Sequence, residues 1–346
     1  MKGNKKMKFK EKAHLSSVEN IFETEKSYVV HSHEMLEFFS KQDMKKTMEV
    51  SDYMGNSQYL QDEHSPYLVE ITELRKIRIR DKKTMEILCD KSEIVPFFMP
   101  FRACFSLEGD KLLVIAANPS GPTYPFFFYS LIREQYQFRL FVLSLPDLEI
   151  ISKVESNSYS FYDIQRIDFL DSYLLTDKKN NHYMLNSQFM VSFASLPLSR
   201  HENEKLIVNN VRREFYVPSK YGVKIYDENF EEKDSLLLFE NEPIQLDSVY
   251  SGMYHNTGAK NIFETPVVEE FRKYIGEICV FKEDCLLYTI NDMLTLTCKV
   301  MVYSLSDNTQ QEITELCDSV QYLYPFKDGF CFAEKQNGHI MEVIDG

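Results

Sequence analysis

Short apolar runs separated by polar turns recur along the whole chain. Seven segments share one plan: an apolar run that often ends in Phe, a polar turn of three to five residues, and a second apolar run. The clearest are residues 278–290 (ICVFKEDCLLYTI), 322–334 (YLYPFKDGFCFAE), 167–177 (IDFLDSYLLTD) and 103–117 (ACFSLEGDKLLVIAA), with fainter copies at 19–32, 58–71 and 206–219. Val, Ile, Leu, Phe and Tyr suit a pleated strand, and Asp, Gly, Asn and Ser supply the turns. A second hairpin pattern follows each of the first six segments in chain order, at 35–50, 74–88, 139–154, 222–237 and 300–316, and in shorter form at 182–193. One unit therefore predicts four consecutive antiparallel strands.

The second strands begin at Tyr28, Tyr67, Leu112, Tyr173, Phe215, Leu286 and Phe330, giving spacings of 39, 45, 61, 42, 71 and 44 residues. After Phe330 the chain holds only one more strand pattern, HIMEVID at 339–345, so the seventh unit lacks its fourth strand. A spare candidate, MKFKEKAHL at 7–15, precedes the first unit. Joining the two ends gives a wrap-around spacing of 44 residues, as a closed ring requires.

Four-stranded units of this length, with an N-terminal strand completing the last one, resemble a β-propeller of WD-repeat or YVTN-like architecture. The resemblance covers nearly the whole chain and implies an all-β, seven-bladed propeller of four-stranded antiparallel blades. It would form a single domain over residues 1–346, closed by the N-terminal strand. No specific family signature accompanies it: there is no Trp for a WD dipeptide or an Asp box, no Gly-Gly pair for a kelch blade, and only 11 Gly in 346 residues. A β-sandwich that does not close, or two smaller β domains, is the alternative architecture.

Composition narrows the function classes. The 39 Lys and Arg against 53 Asp and Glu leave a net charge of −14, which repels polyphosphate and argues against nucleic acid as a partner. Seven Cys without a C-x-x-C pair suit reduced, mostly buried thiols. The basic N-terminus is followed by no apolar run of signal-peptide type, and no stretch approaches a membrane span, so a cytoplasmic location is expected, or a secreted or periplasmic one if a signal has been trimmed away.

The two long spacings mark insertions. Residues 118–138 lie between the second and third strands of blade three, and residues 241–275 between the last strand of blade five and the first of blade six. In alternating strands both connections belong to the same end of a blade, so both are expected on one face. The first insertion carries Tyr124, Phe126, Phe127, Phe128 and Tyr129; the second carries TPVVEEFRKYIGE (265–277), which reads as a short helix capped by Thr265 and opened by Pro266, with Phe271 and Tyr274 on its apolar side. Such loops suit a binding surface, or else cover the axial channel.

Aligning the first strands on Phe22, Leu60, Phe105, Phe169, Val208, Phe281 and Phe326 puts Arg102, Arg166 and Lys205 three residues earlier in blades three to five. A cationic arc near the start of the innermost strands would hold a small carboxylate or phosphate; pairing with Asp163, Asp168 and Glu204 is the alternative. His31 and His33 alternate on one strand but lack a spaced third ligand, and His182 and His339 open matching third strands, so no metal is expected. No nucleophile elbow, P-loop or dinucleotide motif is present, and no cofactor is expected. The pattern therefore points to a propeller serving as a binding or scaffold module for a protein or peptide partner, with Tyr124, Phe126, Phe127, Phe128, Phe271, Tyr274, Arg102, Arg166 and Lys205 as binding residues. A hydrolase or lyase acting on a small anionic or carbohydrate substrate at the axial mouth is the second reading.

Overall fold

The structure is a computed structural model that describes residues 7–32, 35–51, 57–72, 76–119, 136–154, 161–177, 181–194, 206–219, 221–240, 273–292, 295–317, 320–334 and 337–344. Strand β1 (Lys8–Leu15) comes first. Blade one is β2 (Asn20–Glu23), β3 (Ser27–Ser32), β4 (Met35–Ser40) and β5 (Lys46–Ser51); blade two is β6 (Ser57–Gln61), β7 (Tyr67–Thr72), β8 (Ile77–Asp81) and β9 (Ile87–Lys91). Blade three is β10 (Met99–Phe105), β11 (Lys111–Pro119), β12 (Tyr136–Ser144) and β13 (Ile150–Val154); blade four is β14 (Phe161–Ile167), β15 (Ser172–Asp177), β16 (His182–Asn186) and β17 (Val191–Ala194). Blade five is β18 (Ile207–Asn209), β19 (Glu214–Pro218), β20 (Gly222–Tyr226) and β21 (Glu232–Leu237); blade six is β22 (Lys273–Phe281), β23 (Cys285–Asp292), β24 (Thr297–Ser304) and β25 (Thr309–Leu316). Blade seven is β26 (Val320–Pro325), β27 (Gly329–Glu334) and β28 (Asn337–Ile344), completed by β1.

Seven antiparallel four-stranded sheets, the last in the order β1-β28-β27-β26, make the fold a seven-bladed β-propeller. Residues Glu19–Glu202, with blades one to four, form one compact unit; Met1–Val18 together with Asn203–Gly346, carrying blades five to seven and β1, form another. Within each unit the first strands of neighbouring blades pack against one another. No α-helix occurs among the described residues, and thus no helix there is long and apolar enough to cross a membrane.

The second strands of blades three and six are each sandwiched between two neighbouring blades, which explains their nearly unbroken apolar sequences. In β11, Leu113, Ile115 and Ala117 join a core with Leu175, Tyr183 and Leu185 of blade four. The alternate residues Leu112, Val114 and Ala116 join a core with Val69, Ile77 and Ile79 of blade two. Strand β23 repeats the device, with Leu286, Tyr288 and Ile290 facing blade five and Cys285 and Leu287 facing blade seven. Outer strands such as β5, β9, β13 and β21 are mostly exposed and carry the alternating, charged sequences.

Scarcity of glycine has a local cause. The turns from third to fourth strand place a non-glycine residue in the left-handed region: Met44, Met85, Leu148, Phe189, Phe230 and Asn308, with φ between 51° and 62°. A side-chain oxygen at the start of the turn fixes the loop. Asp81 accepts from the amides of Lys83 and Thr84, Asn186 from those of Gln188 and Met190, and Asp227 from those of Asn229 and Glu231. A left-handed apolar residue costs about 1 kcal/mol or more. What offsets that cost is packing: Met85 and Leu148 are buried in cores between blades, and Phe230 stacks on Phe215 at 4.6 Å. A register shift follows in the third-to-fourth pairing of blades one, two, three, five and six.

The stretch 265–277 was expected to be helical, but residues 273–277 open the strand β22. A bulge between Ile275 and Ile278 disturbs the two-residue alternation and mimics a helical pattern. At its centre sits Gly276, where a Cβ would fall 2.4 Å from Asn291 Nδ2 and 2.7 Å from Thr289 Oγ1. Residues 265–272, including Phe271, lie outside the described residues.

Met85→Gly relieves the backbone but removes a side chain packed on Val29, Leu36, Phe38 and Leu68, and is expected to destabilise by about 2 kcal/mol in denaturant unfolding. An unchanged or raised stability would mean that strain, not packing, governs these turns. Deleting residues 1–16 strips β1 from β28 along seven paired positions and is expected to lower the melting temperature on the order of 10 °C.

Candidate functional site

Strand alternation gives every blade two distinct ends. First-to-second and third-to-fourth turns share one end; second-to-third turns and the links to the next blade share the other. The two ends differ in chemistry.

At the first end, ion pairs tie blades together. Arg166 contacts both Asp62 and Asp168 and donates to the Ser106 carbonyl at 3.0 Å, so it joins blade four to turns of blades two and three. Asp62 is buried and also accepts from the His64 amide at 2.9 Å, while Lys82 donates to the carbonyls of Asp62 and Ser65. Burial lowers the Arg166 pKa, but Asp168 and Asp62 more than offset that and raise it. Gly109, at φ +70°, leaves the space: a Cβ there would stand 2.8 Å from Asp62 Oδ1 and 3.1 Å from the Ser65 amide nitrogen. In the other unit, Arg212 pairs with Asp284 and with Glu214 (2.9 Å), and Asn209 donates to the Glu283 carbonyl at 2.9 Å. Burial pushes the Glu214 carboxyl up, yet hydrogen bonds from Arg212, Lys233 and Tyr216 hold it below the usual carboxylate range.

At the second end, apolar side chains stand in solvent. Phe97, on the link from blade two to three, is 72% exposed, and Leu296, in the second-to-third turn of blade six, is 73% exposed. Both hold positive φ, 70° and 56°. Tyr274 near the start of β22 and Tyr322 near the start of β26 are 40% and 46% exposed, and Tyr322 lies 5.9 Å from Tyr324. Apart from the outer-strand residues and Ile344, the exposed large hydrophobics among the described residues add only Met190 and Val211, at the first end.

The residues singled out by sequence fall as follows. Arg102 is the fourth of seven residues of β10, exposed, with its guanidinium 4.7 Å from the Phe101 ring centre. Arg166 is the sixth of seven residues of β14. Neither opens its strand, because the alignment anchors Phe105 and Phe169 lie at the end of β10 and in a 3₁₀ turn (Asp168–Leu170) after β14. Arg166 consequently stands at the ion-paired end. Tyr274 stands at the apolar end. Lys205, Tyr124, Phe126, Phe127, Phe128, Tyr129 and Phe271 lie outside the described residues, as does His33.

His31 is fully buried, 3.3 Å from Glu19 and against the Tyr59 ring. All seven Cys are free: Cys285, Cys298 and Cys331 are buried, Cys89, Cys104 and Cys279 half-buried, and Cys317 exposed. Burial pushes the Cys331 thiol up to about 12 and the Cys285 thiol up to about 11, which keeps both protonated and unreactive. A grouping that sequence spacing did not bring out is Glu11, His14 and His339, within metal-ligand reach of one another. No known protein family's model matches the chain, and no curated protein matches it either.

Arg166→Ala leaves the buried Asp62 without its main partner and is expected to destabilise by about 3 kcal/mol, read by denaturant unfolding. Stability within about 0.5 kcal/mol of the parent would show that Arg166 is not a strut between blades.

Proposed function

We propose that this propeller is a binding or scaffold module that receives a protein or peptide partner at the apolar end of its blades. The observation that carries the reading is the placement of exposed Tyr274, Leu296 and Tyr322 at the connections of that end in blades six and seven; Phe97 holds the equivalent place on a blade of the other unit. Aromatic and apolar side chains held in solvent are costly for an isolated domain and are the anchors that partners bury. Two of the four also keep a left-handed backbone without the burial that offsets it at Met85 and Leu148, and uncompensated strain of this kind gathers at functional positions.

The insertions would extend this end of the blades they belong to, each within its own unit. Within these insertions, residues 120–135 join the second and third strands of blade three, and residues 241–272 lead into β22 just before Tyr274. By strand alternation both belong to the apolar end of their own blades. Their rings, Tyr124, Phe126, Phe127, Phe128 and Phe271, would add to the docking area, and an extended or helical peptide rich in apolar residues is the occupant such a surface favours.

Tyr274→Ser, Tyr322→Ser and Phe127→Ser are each expected to weaken capture of the partner on immobilised protein by about 30-fold, the equivalent of 2 kcal/mol, with circular dichroism and melting unchanged. Capture that survives all three changes would place the interaction elsewhere. Loss of stability would assign these rings to the core.

A further inference from the structure

The pairing of the two chain ends brings together a ligand set. In the β1–β28 ladder His14 stands directly opposite His339, and their rings meet edge to face at 4.5 Å. Glu11 would point to the other side of a regular strand, since it lies three residues before His14. A bulge between Glu11 and Ala13 changes that: the extra residue, Lys12, reaches Glu342 at 2.8 Å, and Glu11 turns to the histidine side. Glu11 Oε1 then lies 3.0 Å from His339 Nδ1 and 4.0 Å from His14 Nδ1, and the three ligand atoms all fall within 4.8 Å of one another. Phe332 stacks on the His339 ring at 4.7 Å and 11°, holding that imidazole in place.

We propose that Glu11, His14 and His339 form a site for a divalent transition-metal cation of the zinc class, which staples β1 to β28. Two imidazoles and a carboxylate are an N/O donor set suited to Zn²⁺ and its neighbours and unsuited to Ca²⁺ or Mg²⁺, which take oxygen ligands. Ligand bonds of about 2.0–2.2 Å in a tetrahedron place donor atoms roughly 3.4 Å apart, so the Glu11–His339 pair is already near its bound spacing and a small swing of the half-exposed His14 completes the set. Glu11 and His14 are open to water, which leaves a fourth position for solvent or an outside ligand. The cation joins the N-terminal strand to the last blade, so its binding free energy adds to the stability of that pairing.

The probe is ZnCl₂ titrated into the full chain, stripped with chelator, by calorimetry and by thermal melting; a Co²⁺ spectrum reports the donor atoms. One zinc is expected to bind and to raise the melting temperature in proportion to the logarithm of its concentration. His14→Ala and Glu11→Gln, both at exposed positions, are each expected to weaken binding at least tenfold while melting like the parent in chelator; His339→Gln is a second variant for the buried side of the site. The proposal is overturned by a parent protein that neither binds zinc nor gains stability from it. It is equally overturned by zinc binding that persists in His14→Ala and His339→Gln, or by a cobalt spectrum with thiolate bands, since either places the metal at other residues.

Discussion

Blades three and six each have two apolar faces, and neither face tolerates water. The second strands make this plain: alternate residues of β11 enter separate cores shared with blade two and blade four, and β23 does the same between blades five and seven. A sheet buried on both sides cannot stand alone, so each blade needs neighbours and the last needs a full complement of strands. The chain meets that need by returning its N-terminal strand to β28, and from there the next link, Ser16–Glu19, leads into the first strand of blade one. Val18 is buried on this link and packs so close to Gly338 that a Cβ there would come within 2.8 Å of it.

The same constraint divides the labour between the two ends of a blade. The third-to-fourth turns of blades two and three tuck the left-handed Met85 and Leu148 into the cores, and first-to-second turns are bridged by Arg166 with Asp62 and by Arg212 with Asp284. These pairs spend the charge of their arginines inside the fold, so an anion at Arg166 would have to displace two carboxylates. At the opposite end Phe97 and Leu296 stand in solvent outside the cores, so the loops that carry them can vary without disturbing those cores. That freedom is what a binding surface on a rigid scaffold requires.

Most of the architecture was legible in the chain. Period-two runs, turn residues and the missing fourth strand of blade seven anticipated all seven sheets and the partner of β28, because strands buried on both faces leave unmistakable apolar runs. Less was legible where geometry departs from regular strands. The bulge at Gly276 made 273–277 look helical, and the 3₁₀ turn at Phe169 moved Arg166 from the start of its strand to the far end. The cluster of Glu11, His14 and His339 was out of reach for a different reason: its members come from opposite ends of the chain, and only the register of β1 on β28 and its bulge bring them to one side.

Hydrogen exchange measured residue by residue tests directly whether the pairing of the chain ends is a structural keystone. If it is, amides paired between Lys8–Leu15 and Asn337–Ile344 exchange as slowly as those of β11 and β23, in a single cooperative opening with the blade cores. Rapid exchange along β1 while β27 and β23 stay protected would contradict the account, because blade seven would then hold without its fourth strand.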